Sequence, residues 1–149
     1  MPLPPLPPRF IRIGEQVLTV IWIGSLWTIG FIVAPTLFQV LDDRALAGMI
    51  AGRLFSIESY LGLVCGGLLL LFTRYKTRSE RWFSWRTALL ATMLAIIVVG
   101  EFVLQPMLAT FKAQGLNAEF ARWHGVSASL YLLNSVLGIV VVATTHQGN

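Results

Sequence analysis

Five side chains in this 149-residue chain stand where an apolar sequence should carry none. They are Arg53, Glu58, Glu101, Arg122 and His124. Each lies inside a long run dominated by Leu, Ile, Val, Ala, Gly and Phe. In such a run a charged group is costly unless it is paired or reaches water. Two carboxyls can bind a proton or a cation, and two guanidiniums and an imidazole can neutralise them. Their depth follows from a helical rise of about 1.5 Å per residue. Glu58 precedes Arg74 by sixteen residues, so it stands ~24 Å from that charged boundary. Glu101 follows Arg86 by fifteen, or ~22 Å. The two carboxyls therefore share one height in the outer part of a bilayer, with Arg53, Arg122 and His124 near the outer boundary. Arg53 and Glu58 are five residues apart, roughly 140° around one helix. Each needs a partner from a neighbouring helix.

Two readings compete evenly. In one, Glu58 and Glu101 form an outward-facing site for a proton, cation or small ligand, surrounded by Arg53, Arg122 and His124. In the other, the same residues form interhelical ion pairs that fix the arrangement of a bundle. Glu101 is the more suggestive carboxyl because no cation shares its stretch of chain. Arg122 is the least, because Glu119 one turn earlier offers it a surface pair. No catalytic motif stands out, and there is no His-x-x-His or Met-x-x-Met spacing. No metal and no cofactor is assigned. Copper(I) would draw on soft ligands such as Met49, Met107 and His124, but methionines in apolar helices ordinarily pack. Haem would need an axial ligand inside the membrane, where His124 is the one candidate. Cys65 is the single cysteine, so it forms no intrachain disulfide and reads as a small packing residue.

The elements that must carry these residues are helices. Hydrophobic residues make up 56% of the chain and charged residues 12%, with a mean hydropathy of +0.73, which is outside the usual soluble range. The charges cluster and leave uncharged runs long enough to span a bilayer. Four transmembrane helices are expected, at about 16–40, 44–73, 87–108 and 118–145. The fold class is all-α, a four-helix transmembrane bundle spanning 13–146. A proline-rich segment, 1–12, is expected to be disordered, because proline fixes φ and lacks the N–H donor. The run after Arg12 is too long for a signal segment, so the first helix is read as retained. The net charge of +4 needs no nucleic-acid partner. Arg9, Arg12, Arg74, Lys76, Arg78, Arg81 and Arg86 fall on one side of such a bundle and only Arg44, Arg53, Lys112 and Arg122 on the other. That bias puts both termini in the cytoplasm. Trp82 and Trp85 suit the headgroup belt.

The pattern Phe31-x-x-x-Pro35 recurs as Phe102-x-x-x-Pro106, each near the end of a helix and each followed by a helix carrying an arginine. It predicts two parallel-repeat helical hairpins, with Pro35 and Pro106 as helix breaks. The second helix is expected to start at Asp43, whose carboxylate suits a helix N-terminus. It carries Gly48, Gly52, Ser59, Gly62 and Gly66 at helical spacing. Small residues on one face let helices approach closely. Packing within the chain is the favoured use, and a homo-oligomer contact or another membrane protein is the other.

Several of these segments resemble a known family. Trp22-x-Gly24, Phe31-x-Val33-Ala34-Pro35-x-Leu37-Phe38, Ala47-Gly48, Gly52-x-Leu54-Phe55 and Phe120-x-x-Trp123-His124-Gly125-x-Ser127 resemble the bacterial four-helix membrane domain related to eukaryotic transmembrane protein 205. The broader fold is similar to the copper-resistance D membrane domain and to a four-helix haem-linked protoporphyrinogen oxidase. In the latter a histidine precedes the first-helix tryptophan by about two turns. Here that region reads Gln16, Val17, Leu18, Thr19, Val20, which argues against a haem-dependent oxidase. The resemblance implies an integral protein of the bacterial inner membrane without an established activity. A non-enzymatic role in binding or passing a small species, or in assembling a membrane complex, is expected. The alternative is a haem- or quinone-linked oxidoreductase.

Overall fold

Local chemistry sets each connection. The computed structural model describes residues 8–76 and 84–145. The segment 1–7, the basic stretch 77–83 with Trp82, and the tail 146–149 lie outside the described residues. The first rod comprises α1 (Pro8–Thr28), a π-helical segment (Ile29–Val33) and α2 (Ala34–Val40). The second rod is α3 (Arg44–Lys76). The third comprises α4 (Trp85–Val99), a second π-helical segment (Gly100–Leu104) and α5 (Gln105–Ala113). The fourth is α6 (Asn117–Thr145). All four rods are long and apolar enough to cross a membrane, and the chain is a multi-pass membrane protein with an all-α four-helix bundle.

Asp43 starts α3 as expected. Its Oδ1 accepts from the backbone N–H groups of Ala45 at 2.8 Å and Leu46 at 3.1 Å. These are donors that a helix start leaves without partners. Ser84 does the same for α4, accepting from the Thr87 N–H at 3.2 Å. At the end of α5 the Leu116 N–H bonds Phe111 O at 3.0 Å and the Gly115 N–H bonds Lys112 O at 3.3 Å. This pattern requires a left-handed residue between helix and loop, and Gly115 supplies it with φ +70. At the other end, α1 begins at Pro8, so residues 8–12 belong to a helix rather than to the disordered start expected over 1–12. Proline is tolerated in a first turn, where its missing N–H has no helical partner to lose, and Ile11 is already buried there.

Both helix breaks are π turns. The Ala34 N–H bonds Ile29 O and the Gln105 N–H bonds Gly100 O, five residues back in each case. A proline follows at once, Pro35 or Pro106. Its ring would collide with the carbonyl four residues earlier in a regular helix, and it has no N–H to give. Widening the turn by one residue relieves both problems. The two segments repeat at a constant offset along the chain, which is the structural content of the sequence repeat.

The rods pack as a ring in chain order, with α6 closing onto α1. An apolar core fills the half of the bundle nearest the two chain ends: Trp22, Ile23, Cys65, Leu69, Leu90, Met93, Ile97 and Val141. Gly62 and Gly66 explain how a tryptophan fits at the centre. A Cβ on Gly62 would stand 2.6 Å from Trp22 Nε1, and one on Gly66 2.8 Å from Trp22 Cη2. Those two glycines therefore serve packing within the chain. Gly52 has no neighbour within 4 Å of such a Cβ. Large apolar side chains such as Val20, Leu71, Val98 and Leu132 cover the outside of the bundle, where they suit lipid.

Candidate functional site at the centre of the bundle

Glu58 lies fourteen residues from Arg44 and eighteen from Lys76, near the middle of α3. It is 2% exposed, and its Oε1 has no hydrogen-bond partner among the described residues. Nor does any cation among them offset its burial. Charged groups are almost never buried without a partner, so this position requires explanation.

Three other helices meet Glu58 at this depth. From α6, Tyr131 packs against the turn of α3 that carries Glu58, through Phe55 three residues earlier, near enough to feel a charge on Glu58. Its hydroxyl donates to the Leu26 carbonyl at 2.6 Å. The Tyr131 ring lies hard against Gly30, in the first π segment, where any Cβ would overlap it. Its other edge meets Phe55 at 5.0 Å between ring centroids, nearly perpendicular. Tyr131 thus ties α6 to the π turn of the first rod and to the turn of α3 that carries Glu58. One turn further along α6, Asn134 and Ser135 are both buried. The Ser135 hydroxyl bonds back to Tyr131 O at 2.9 Å, and its own carbonyl accepts from Trp27 Nε1 at 3.3 Å. Asn134 Oδ1 is without a partner. From α1, Trp22 is fully buried and its Nε1 is likewise without a partner, aimed at Gly62 one turn from Glu58. From the third rod, Ile97 closes on the same point.

The other residues singled out in the sequence stand apart from this centre. Glu101 is half-buried and lies in the second π segment. Its neighbour Phe102 meets Tyr60 of α3 edge-on at 6.3 Å, so Glu101 and Glu58 do occupy similar depths. Arg53, Arg122 and His124 are exposed. His124 stacks on Phe120 with ring centroids 5.6 Å apart. No two of the five are joined by a hydrogen bond or ion pair among the described residues, and Arg122 makes none with Glu119. Arg53 and Arg122 lie nine and five residues from the starts of α3 and α6, and long side chains there can run along the helix towards its start. Among the described residues, no three His, Cys, Asp or Glu side chains come together.

Sequence reasoning did not find Tyr131, Trp22 or Glu15 as members of buried polar arrangements. Glu15 is 3% exposed in α1, with Thr19 beside it donating to the Glu15 carbonyl at 2.7 Å. Read linearly, Glu15 closes a basic segment. It becomes interior only because α1 extends back to Pro8. Tyr131 carries no linear signal, since its partners lie about a hundred residues away.

Residues 17–117 match the family described as Domain of unknown function (DUF4149). The match begins within α1, covers the rest of the first three rods and stops where α6 begins. No curated protein and no solved structure matches the chain.

Proposed function

The chain belongs to the DUF4149 family of unknown function, and from that premise we propose that it is a non-enzymatic integral protein of the bacterial inner membrane in which Glu58 binds or passes a proton or small cation. One observation carries this reading: a carboxyl at mid-depth in the bundle, fully enclosed and without a counter-charge among the described residues. An ionisable residue within a spanning helix is by default a functional candidate. A purely structural carboxyl would be expected to hold an arginine, and among the described residues Glu58 pairs with none.

Both termini face the cytoplasm in this reading, because seven basic residues lie on their side of the bundle and four on the other. The outer ends of the rods, with Arg53, Arg122 and His124, then face the periplasm. Glu101, at the level of Glu58 but on a half-buried face, stands between that side and the centre. The resemblance of the chain's motifs to the bacterial relatives of transmembrane protein 205, and more distantly to the copper-resistance D membrane domain, supports the same setting.

Flux in proteoliposomes tests the proposal. A pH-sensitive dye in the lumen should report a response to an external acid step that is lost in Glu58→Gln. Sodium and potassium steps with matching dyes separate a cation from a proton. Equal traces for wild type and Glu58→Gln under every gradient would exclude passage through Glu58. The family's role would then have to be sought in assembly, by identifying the proteins that co-purify.

A further inference from the structure

Between α1 and α6 the outer surface of the bundle opens into a groove of about 470 Å³. Thr19, Val20, Gly24 and Trp27 line it on one side, and Ile139 and Val142 on the other. It stays open at Gly24, where an added Cβ would meet nothing within 4 Å. Val20, Ile139 and Val142 are exposed, so the groove faces the lipid around the bundle rather than its core. Its two polar side chains are already engaged. The Thr19 hydroxyl donates to Glu15 O at 2.7 Å, and Trp27 Nε1 donates to Ser135 O at 3.3 Å. The lining side chains therefore offer an occupant apolar contact and no free hydrogen bond.

The stripe of α1 that lines the groove continues towards the chain start. The helix is unbroken from Pro8 to Thr28. At 3.6 residues per turn, Arg9, Gln16, Val20 and Trp27 fall within roughly 40° of one another around it. Arg12 falls within roughly 20° of Ile23, and Ile23 is the side chain that meets Gly138 of α6. Both arginines and Gln16 are exposed. Among the described residues neither arginine makes a hydrogen bond or ion pair. Glu15, the one acid of α1, is turned inward at 3% exposure. Two unpaired positive charges thus stand on the line of the groove, at its end nearest the chain start. The depth fits one leaflet. Arg12 and Trp27 are fifteen residues apart, ~22 Å along the helix, and half a bilayer with its headgroups measures roughly 20–22 Å.

We infer that this face holds an anionic phospholipid of the leaflet nearest the chain ends, its phosphate between Arg9 and Arg12 and one acyl chain in the groove from Thr19 to Trp27. Charge complementarity selects this occupant, because anionic headgroups are drawn to basic residues at the membrane surface. A second copy docked through the same face, about an axis along the membrane normal, would set Arg9 and Arg12 against their equivalents, and like charges repel. A ligand with a polar ring would find no free side-chain partner in the groove. The site is independent of Glu58, which is enclosed on α3.

Nuclear magnetic resonance of the full chain with nitrogen-labelled tryptophan tests this, in phosphatidylcholine nanodiscs. A small fraction of either phosphatidylglycerol or phosphatidylcholine carries a spin label near the end of its acyl chain. The label broadens indole signals that it approaches. The Trp27 signal, assigned by its loss in Trp27→Phe, should be broadened about tenfold more by labelled phosphatidylglycerol than by the same amount of labelled phosphatidylcholine. Arg9→Gln combined with Arg12→Gln should remove that preference. Gly24→Leu fills the groove and should remove it too, with the Trp22 and Trp123 signals unmoved as the check on folding. Equal broadening of wild type by the two lipids means ordinary boundary lipid and overturns the site. A preference that survives Gly24→Leu in a folded protein means attraction of the headgroup without a seated chain, and also overturns it. A Trp27 signal insensitive to both lipids, with a lower oligomeric mass in Gly24→Leu, would assign the groove to a second copy instead.

Discussion

A carboxyl closed inside a membrane bundle must find a counter-charge or a proton. Among the five ionisable residues that interrupt the apolar runs, Glu58 alone is fully enclosed, and among the described residues no arginine pairs with it. The interhelical ion-pair account of these residues predicts that removing one partner costs about 3–5 kcal/mol. The geometry predicts otherwise. Arg53→Gln and Arg122→Gln change exposed residues and should each alter stability by no more than about 0.5 kcal/mol. Glu101→Gln should show no rescue when combined with either. Melting temperatures of the three single and two double variants in detergent decide this. A large loss for Glu101→Gln that an arginine change repairs would restore the ion-pair account. At this scale the sequence was informative about position and less so about company. Glu58 was visible because it interrupts an apolar run. Tyr131 was not, because a lone tyrosine in an apolar helix looks the same whether it faces lipid or a carbonyl on another rod.

At the scale of elements, the centre depends on close approach. Tyr131 reaches Leu26 O only because residue 30 is glycine, and Trp22 reaches the middle only because residues 62 and 66 are glycines. Tyr131→Phe removes the hydroxyl and leaves the Leu26 carbonyl without that donor. It should cost about 1–3 kcal/mol of stability. Gly62→Val pushes bulk into the indole, and overpacking of this kind typically costs about 1–3 kcal/mol. Gly24→Ala is the internal control: a Cβ there meets nothing within 4 Å, so stability should not fall, and alanine's helix preference should raise it by up to about 0.5–1 kcal/mol. Thermal unfolding in one detergent compares all three, and a Gly62→Val as stable as wild type would contradict the packing described. The prolines were legible as breaks, and their Phe-x-x-x-Pro spacing already signalled a repeat. The form of the break was not legible. A proline can kink, end or widen a helix, and the choice made here, a π turn immediately before each proline, depends on what packs against the turn. In the first rod that is the Tyr131 ring.

At the scale of the whole molecule, four rods of alternating direction follow from the hydropathy runs. The caps at Asp43 and the turn at Gly115 follow from local chemistry that reads directly from sequence. What single residues could not reveal is where the buried polar groups fall, with Glu58, Asn134 and Ser135 at mid-depth and Glu15, Thr19 and Thr73 towards the chain ends. That depends on which faces of the rods meet. Orientation is a separate claim, resting on the basic residues. Reporter domains fused after Gly115 and after Asn149 should give an external and a cytoplasmic signal respectively. An external signal at the C-terminus would invert the bundle and turn the Arg53, Arg122 and His124 end inward.

The central claim is that Glu58 is a protonatable group. Infrared difference spectroscopy across a pH titration, on the full chain in lipid, reads carboxyl protonation directly. The account predicts one reversible carboxylic acid band that is absent in Glu58→Gln and retained in Glu101→Gln. A spectrum in which no titrating band depends on Glu58, or in which the band follows Glu101 instead, would contradict it.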